Sequence, residues 1–211
     1  MIKFDKTDVM NTNNAMRGMR NPLNSWEKND TIFNWNTCSY YIGENDLSLA
    51  RKLIKAGPDH RKFLRQIFVS VDITAPLYWW KEFDQYKVGT TTNSCSTMHK
   101  IHAKEFTRDD FSYDRMSEDA ITMLDSLVGY LESERVKFNE TKDKLHWENI
   151  IQILPTSYNQ TRTVTMTYET LLNQHRSRKH HKLKEWREYC MWAEKLPNFR
   201  ELCLGGEVDE K

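Results

Sequence analysis

The chain has 211 residues, 38% apolar and 29% charged, which is enough for one domain with a core of its own. Its 31 Lys and Arg against 30 Asp and Glu leave a net charge of +1, so no bulk field draws it to nucleic acid or to an anionic membrane. No run approaches the roughly 18 apolar residues that span a bilayer, and the N-terminus, MIKFDKTDVMNTNN, lacks the apolar core of a signal peptide. Cys38, Cys95, Cys190 and Cys203 form no CxxC pair, and that usage reads as a reduced, cytoplasmic protein.

Taken in order, residues 1 to 36 read as polar connections around a short helix from Ala15 to Arg20, which Asn21-Pro22 ends. Asp46 is placed to cap a helix through Leu47, Leu49, Ala50, Leu53 and Ile54, with Gly57-Pro58 as its stop. A short helical turn spans His60 to Arg65. Gln66 to Ile73 alternates as a strand, with Ile67, Val69, Val71 and Ile73 on one face. Trp79 to Tyr86 reads as helix. Ser117 to Asn139 is the clearest amphipathic helix, and Lys142 to Ile153 is a second, stopped by Pro155. Gln160 to Met166 is β-prone, Tyr168 to Gln174 helical, and Lys182 to Leu196 the last helix before Pro197. Residues 205 to 211 read as a disordered tail. With no repeat and no linker, residues 1 to 204 read as one domain.

The chemistry gathers between Ala75 and Thr97. Thr90, Thr91, Thr92, Asn93, Ser94, Cys95, Ser96 and Thr97 prefer to bond nearby backbone, and they predict a loop of short donors and acceptors suited to a small anion. If the following turn is helical, Cys95, His99 and His102 share one face. That leaves three readings open: a packed thiol beside surface histidines, a reactive thiol, or metal ligands. No fourth ligand is close in sequence, so no metal is expected. His175 and His180 fall about 140° apart on a helix and do not converge on one. His175 to Lys184, HRSRKHHKLK, is the one strongly basic patch, with cations suited to a helix C-terminus. Trp147, Trp186 and Trp192 suit core or subunit contacts.

This frame resembles the flavin-dependent thymidylate synthases. Thr74-Ala75-Pro76 and the aromatic helix match the K-A-P-like step and helix that precede that family's signature, R-H-R-x-x-S-x-N-E-x-S-x-R-Y. The signature falls without a gap on residues 85 to 98, Gln85 to Met98. Ala15 to Arg20 with Ser25-Trp26 resembles an early arginine-bearing helix. Glu148 with Leu154-Pro155, and then Thr161-Arg162, Thr165, Leu171, Asn173 and Arg178, follow two later patterns in order. The resemblance covers most of residues 13 to 200.

The resemblance implies an α/β (α+β) fold, a twisted sheet with long packed helices, assembled as a homotetramer with sites between chains. It implies C5 methylation, or a related C5 modification, of a pyrimidine deoxynucleotide, by default dUMP to dTMP. The cofactor is FAD, with NADPH and methylenetetrahydrofolate as co-substrates. Carried over residue by residue, the flavin falls to Gln85, Tyr86, Lys87, Asn173, Arg17 and Arg20. The nucleotide falls to Thr90, Thr92, Asn93, Ser96, Thr97 and Arg178, with Cys95 and Arg178 nearest the chemistry. The identities depart from the pattern: Gln85-Tyr86-Lys87 replaces R-H-R, Asn93 replaces the Glu, and Thr97 replaces the Arg that holds the phosphate. The rivals are a nucleotide-binding protein that kept the fold without flavin chemistry, and a single-strand binder using the basic patch.

Overall fold

The elements, in chain order, are β1 (Lys3–Met10), α1 (Thr12–Gly18), β2 (Ile32–Asn34), β3 (Ser39–Tyr41), α2 (Glu44–Ala56), β4 (Phe68–Pro76), α3 (Leu77–Phe83), β5 (Thr90–Ser94), α4 (Glu118–Thr141), α5 (Lys144–Ile153), β6 (Asn159–Thr167), α6 (Tyr168–Arg178), α7 (Lys184–Glu194) and α8 (Phe199–Cys203). They belong to a computed structural model that describes residues 1–205, so the expected tail, Gly205 apart, lies outside the described residues. Four strands form one sheet in the order β1-β4-β6-β5, giving the expected mixed α/β fold. The alternation of Val69, Val71, Ile73 and Ala75 buries one face of β4, and Val164 and Met166 do the same for β6. Side-chain pairs Ser70–Thr165 and Thr74–Thr161 advance in opposite sequence directions, so β4 and β6 run antiparallel.

Two strands depart from the sequence reading. Thr90–Ser94 is an edge strand rather than a loop. Threonine favours loops only where nothing else takes its backbone; beside an open strand its β-branched side chain favours the ladder. A polar, exposed edge also discourages pairing with other chains. The N-terminal segment is strand β1 rather than a polar connection. Its half-buried residues, Phe4 and Val9, are five apart, a spacing that places them on opposite faces of a regular strand. Lys6 between them adopts φ 49°, a bulge-like break that hides the alternation. A separate antiparallel hairpin pairs Ile32 with Tyr41 and Phe33 with Tyr40.

Internal contacts divide the chain into two compact units. One comprises residues 1–3, 73–85 and 93–163; the other comprises 4–72, 86–92 and the chain from Val164 on. In the first, Ile101, Phe106, Phe111, Leu124, Leu131 and Ile150 form a core beneath α4 and α5. Ser117 and Asp143 cap those two helices, accepting from Ala120 N and Leu145 N. Trp79, Trp80 and Phe83 on α3 are buried against one another, with ring centroids 4.8 to 5.3 Å apart.

In the second unit Asp46 does not cap α2. The N-cap is Gly43, and the capping carboxylate comes from Asp30, which accepts from Asn45 N and Asp46 N at 2.9 Å each. A Cβ on residue 43 would lie 2.3 Å from Asp30, so glycine is required for that approach. Asp46 is instead fully buried. It accepts from Arg20 Nε at 2.6 Å, Asn29 Nδ2 at 2.8 Å, Thr31 N at 2.9 Å and Thr31 Oγ1 at 2.5 Å. Removing one partner of so buried an ion pair costs about 3–5 kcal/mol, which makes Arg20–Asp46 a structural tie between α1's end and α2.

Glu134, 3% exposed on α4, binds α4 to α5. It accepts from Lys137 Nζ at 2.8 Å and Asn149 Nδ2 at 2.8 Å, and it pairs with His146 Nδ1 at 2.9 Å. These bonds, from Lys137 first and then Asn149 and His146, hold its carboxyl at about 2 against an ordinary 4.5, despite burial. A carboxyl whose folded pKa is depressed stabilises the fold fully above its unfolded value and loses that contribution as pH falls. Stability should therefore decline from about pH 4.5 towards pH 2. In Glu134→Gln that slope should flatten, as urea midpoints across the range will record; equal slopes would contradict the assignment.

Candidate functional site

The residues at the signature positions lie on an ordered turn and an edge strand. In the second unit, Thr167 caps α6 by accepting from Thr170 N. The Thr170 hydroxyl then donates to the carbonyl of Val88 at 3.1 Å, anchoring the turn that carries Lys87. Gly89 has φ 68°, and a Cβ there would lie 3.1 Å from Thr170 Oγ1, so glycine permits the turn to sit this close to the helix. Lys87 is exposed, while the hydroxyl oxygen of Thr90 is buried and has no hydrogen-bond partner among the described residues.

Arg178, in the last turn of α6, donates through Nε to Tyr86 Oη at 2.9 Å. Its guanidinium lies 4.9 Å from the centroid of Trp186 and 5.6 Å from that of Tyr86, and those two rings meet edge to face. Trp186 is fully buried, so a rigid aromatic wall aims this arginine. Asn173 is exposed and its Oδ1 accepts from Arg61 Nη2 at 3.0 Å; Arg61 also holds Glu169. Arg17 is exposed and donates to Asn14 Oδ1 at 3.1 Å. Arg20 is 3% exposed and committed to Asp46, so its charge is neutralised inside the fold rather than offered to a ligand.

The first unit holds Gln85, Asn93, Cys95, Ser96 and Thr97. A cleft of about 530 Å³ is lined by Cys95, Ser96 and Thr97 together with Thr74, Gln160, Thr161, Tyr158, Lys3 and Lys104. That volume suits a nucleotide-sized ligand. Its floor is tightly bonded. Cys95 N donates to Thr161 O at 2.9 Å, Gln160 Nε2 donates to Cys95 O at 2.7 Å, and the Thr74 and Thr161 hydroxyls are 2.7 Å apart. Trp80 Nε1 donates to Gln160 O at 2.9 Å, and Arg162 spans the same corner. It donates to Gln160 Oε1 and Asp84 Oδ1, with its guanidinium 4.2 Å from the Trp80 centroid. Burial raises the Tyr158 pKa above its ordinary 10, which keeps that phenol protonated as a donor.

The segment after Cys95 is not an α-helix, so Cys95, His99 and His102 do not share a helical face. Ser96 Oγ accepts from Met98 N and His99 N and lies 3.2 Å from His99 Nδ1, a local turn that such residues readily form. His102 packs edge to face on Phe138. No group of three or more His, Cys, Asp or Glu among the described residues is arranged to hold a metal. Sequence reasoning missed Lys104, Tyr113 and Tyr158 as cleft residues, because nothing in their spacing points to Cys95. Gln160 could be read only as a strand residue.

No protein-family model matches the sequence, and no curated protein is similar to it. Solved structures are similar in fold. Thymidylate synthase X from Helicobacter pylori, solved with FAD and dUMP, is 16% identical with a TM-score of 0.69, covering 96% of this chain and 97% of its own. A second H. pylori structure with FAD and dUMP is 15% identical with a TM-score of 0.66 and the same coverage. A UMP/dUMP methylase, PolB from Streptomyces cacaoi, bound with 5-Br dUMP, is 14% identical with a TM-score of 0.63, covering 98% and 95%. The chain has the fold of the flavin-dependent thymidylate synthases along nearly its whole length.

The thiols divide by environment. Cys38 and Cys95 are exposed, while Cys190 and Cys203 are buried. Burial raises the Cys190 thiol to about 12 and pushes Cys203 further up. A disulfide-exchange reagent at pH 8 should therefore label two of the four thiols in the native protein, and Cys95→Ser should reduce that to one. Rapid labelling of all four would contradict the burial.

Proposed function

We propose that this protein catalyses flavin-dependent C5 methylation, or a related C5 modification, of a pyrimidine deoxynucleotide, with dUMP to dTMP as the default reaction. The observation that carries this is the fold match across almost the whole chain to proteins solved with FAD and dUMP, with Cys95, Ser96 and Thr97 lining one cleft.

By the resemblance the flavin's pyrophosphate is assigned to Lys87, Gln85 and Arg17, each of them exposed. The residues fit such an anion by charge, though Lys87 meets it as a point charge without the bidentate fork of an arginine. Tyr86 offers a ring where the family has imidazole. Arg20 drops out of the set because Asp46 holds it. When bound, reduced flavin supplies the hydride, and NADPH and methylenetetrahydrofolate are the proposed sources of electrons and carbon. Arg178, aimed by Tyr86 and Trp186, is assigned to orient the pyrimidine with Asn173, five residues earlier on α6. Cys95 is assigned to the reactive edge of the base. A homotetramer in the cytoplasm completes the proposal; exposed Met123, Tyr130 and Val136 on α4 are apolar surface available to such an assembly.

One observation favours a second reading, a nucleotide-binding protein without turnover. Of the signature's charged positions at 85, 87, 93 and 97, only Lys87 keeps a charge. The two readings separate in a visible spectrum of the purified protein, before and after FAD addition and gel filtration. Flavin uptake with a band that shifts on adding dUMP is the expected result. No uptake of flavin would remove the redox mechanism and leave the second reading.

A further inference from the structure

The position where the resembling family holds the nucleotide phosphate with an arginine is Thr97, which carries no charge. Thr97 nevertheless lines the same cleft as Cys95 and Ser96, and two cations from distant parts of the sequence line it too: Lys3 at the start of β1 and Lys104 in the connection before α4. The neighbouring hydroxyls offer less than their number suggests. Those of Thr74 and Thr161 bond each other, and Ser96 Oγ is occupied by the N–H groups of Met98 and His99. Met1 also lines the cleft, but its ammonium donates to Ser112 Oγ and Asp114 Oδ1, so a phosphate entering here finds its charge chiefly in the two lysines.

Lys104 is also the residue best able to move. Its side chain is 76% exposed, and its ion pair among the described residues is with Asp110, at 2.7 Å. With the ammonium solvated, this pair holds Lys104 only weakly, so the lysine can turn from Asp110 to a dianion. Asp110 is held in place without Lys104, since its Oδ2 accepts from Thr107 N and Thr107 Oγ1 in a capping box. A second, smaller cleft of about 300 Å³ shares Cys95, Ser96, Lys104, Asp110 and Tyr158 with the first. Lys104 thus stands where the two clefts meet. Asp109 and Asp110 also line the larger cleft, so an uncompensated anion would be repelled there.

We propose that Lys104, assisted by Lys3, holds the 5′-phosphate of the nucleotide in this cleft, taking over at a different place in the chain the charge that Thr97 lacks. The inference rests on the nucleotide reading above and adds the residues that would make the site selective for a monophosphate over a nucleoside. Calorimetric titration with dUMP and with deoxyuridine tests it, on the wild type and on Lys3→Ala/Lys104→Ala, at fixed salt. Losing charge-assisted contacts of this kind lowers affinity roughly ten- to a hundredfold. The double variant should lose that much dUMP affinity while binding deoxyuridine as the wild type does, and Lys104→Arg should restore most of it.

Unchanged preference for dUMP over deoxyuridine in the double variant would overturn the inference. So would equal losses for both ligands, or a wild type that binds neither. Recording the flavin band in the same titrations keeps the two proposals apart. A dUMP-dependent band change that survives the double substitution with full affinity removes the lysine assignment alone. Lysine-dependent dUMP binding without any flavin supports the lysine assignment and removes the flavin chemistry.

Discussion

One hydrogen-bond relay fixes the cleft. The indole N–H of Trp80 holds the carbonyl of Gln160, and the side-chain amide of the same glutamine holds the carbonyl of Cys95. Trp80 is fully buried, so its N–H needs an acceptor, and the N-terminal end of β6 supplies one. Arg162 closes the corner from outside by stacking on the indole and pairing with Asp84. Because these bonds run from a buried aromatic helix to the end of the edge strand, Cys95 is placed by the core rather than by its own loop. The thiol itself remains exposed. The core thus fixes the thiol's position while leaving it accessible.

The turn at Lys87 is built on the same logic with smaller parts. Threonine hydroxyls at the start of α6 do the work there, one capping the helix and the next gripping the turn. Glycine at 89 is what lets the two segments come that close. At the other end of α6, Arg178 lies against the Tyr86 and Trp186 rings and donates to Tyr86 Oη.

Much of this was legible in the sequence, and the misses share a cause. β4, β6 and the helices α4 and α5 announce themselves because they bury one face, so their periodicity is written in apolar residues. β1 and β5 are hidden in the sequence because edge strands bury little. β1 also carries a left-handed Lys6, and β5 is spelled in Thr, Asn and Ser. Asp46 reads as a cap from its position in front of an apolar run, but a carboxylate sixteen residues earlier, Asp30, takes that role. Arg20 reads as a ligand contact for the same reason: sequence shows that an arginine is present and not that Asp46 faces it. Lys104 and Tyr158 reach the cleft only through tertiary folding, and no spacing rule marks them.

The central claim is that this fold still performs chemistry at C5 of a pyrimidine nucleotide, and a bond at C5 cannot be made without releasing the hydrogen already there. The most direct measurement is therefore tritium release into water from dUMP labelled at C5, with FAD, NADPH and methylenetetrahydrofolate present. Release that requires the protein and falls sharply in Cys95→Ser and Arg178→Ala is the predicted result. Tight binding of FAD and dUMP with no tritium released above the protein-free control would contradict it.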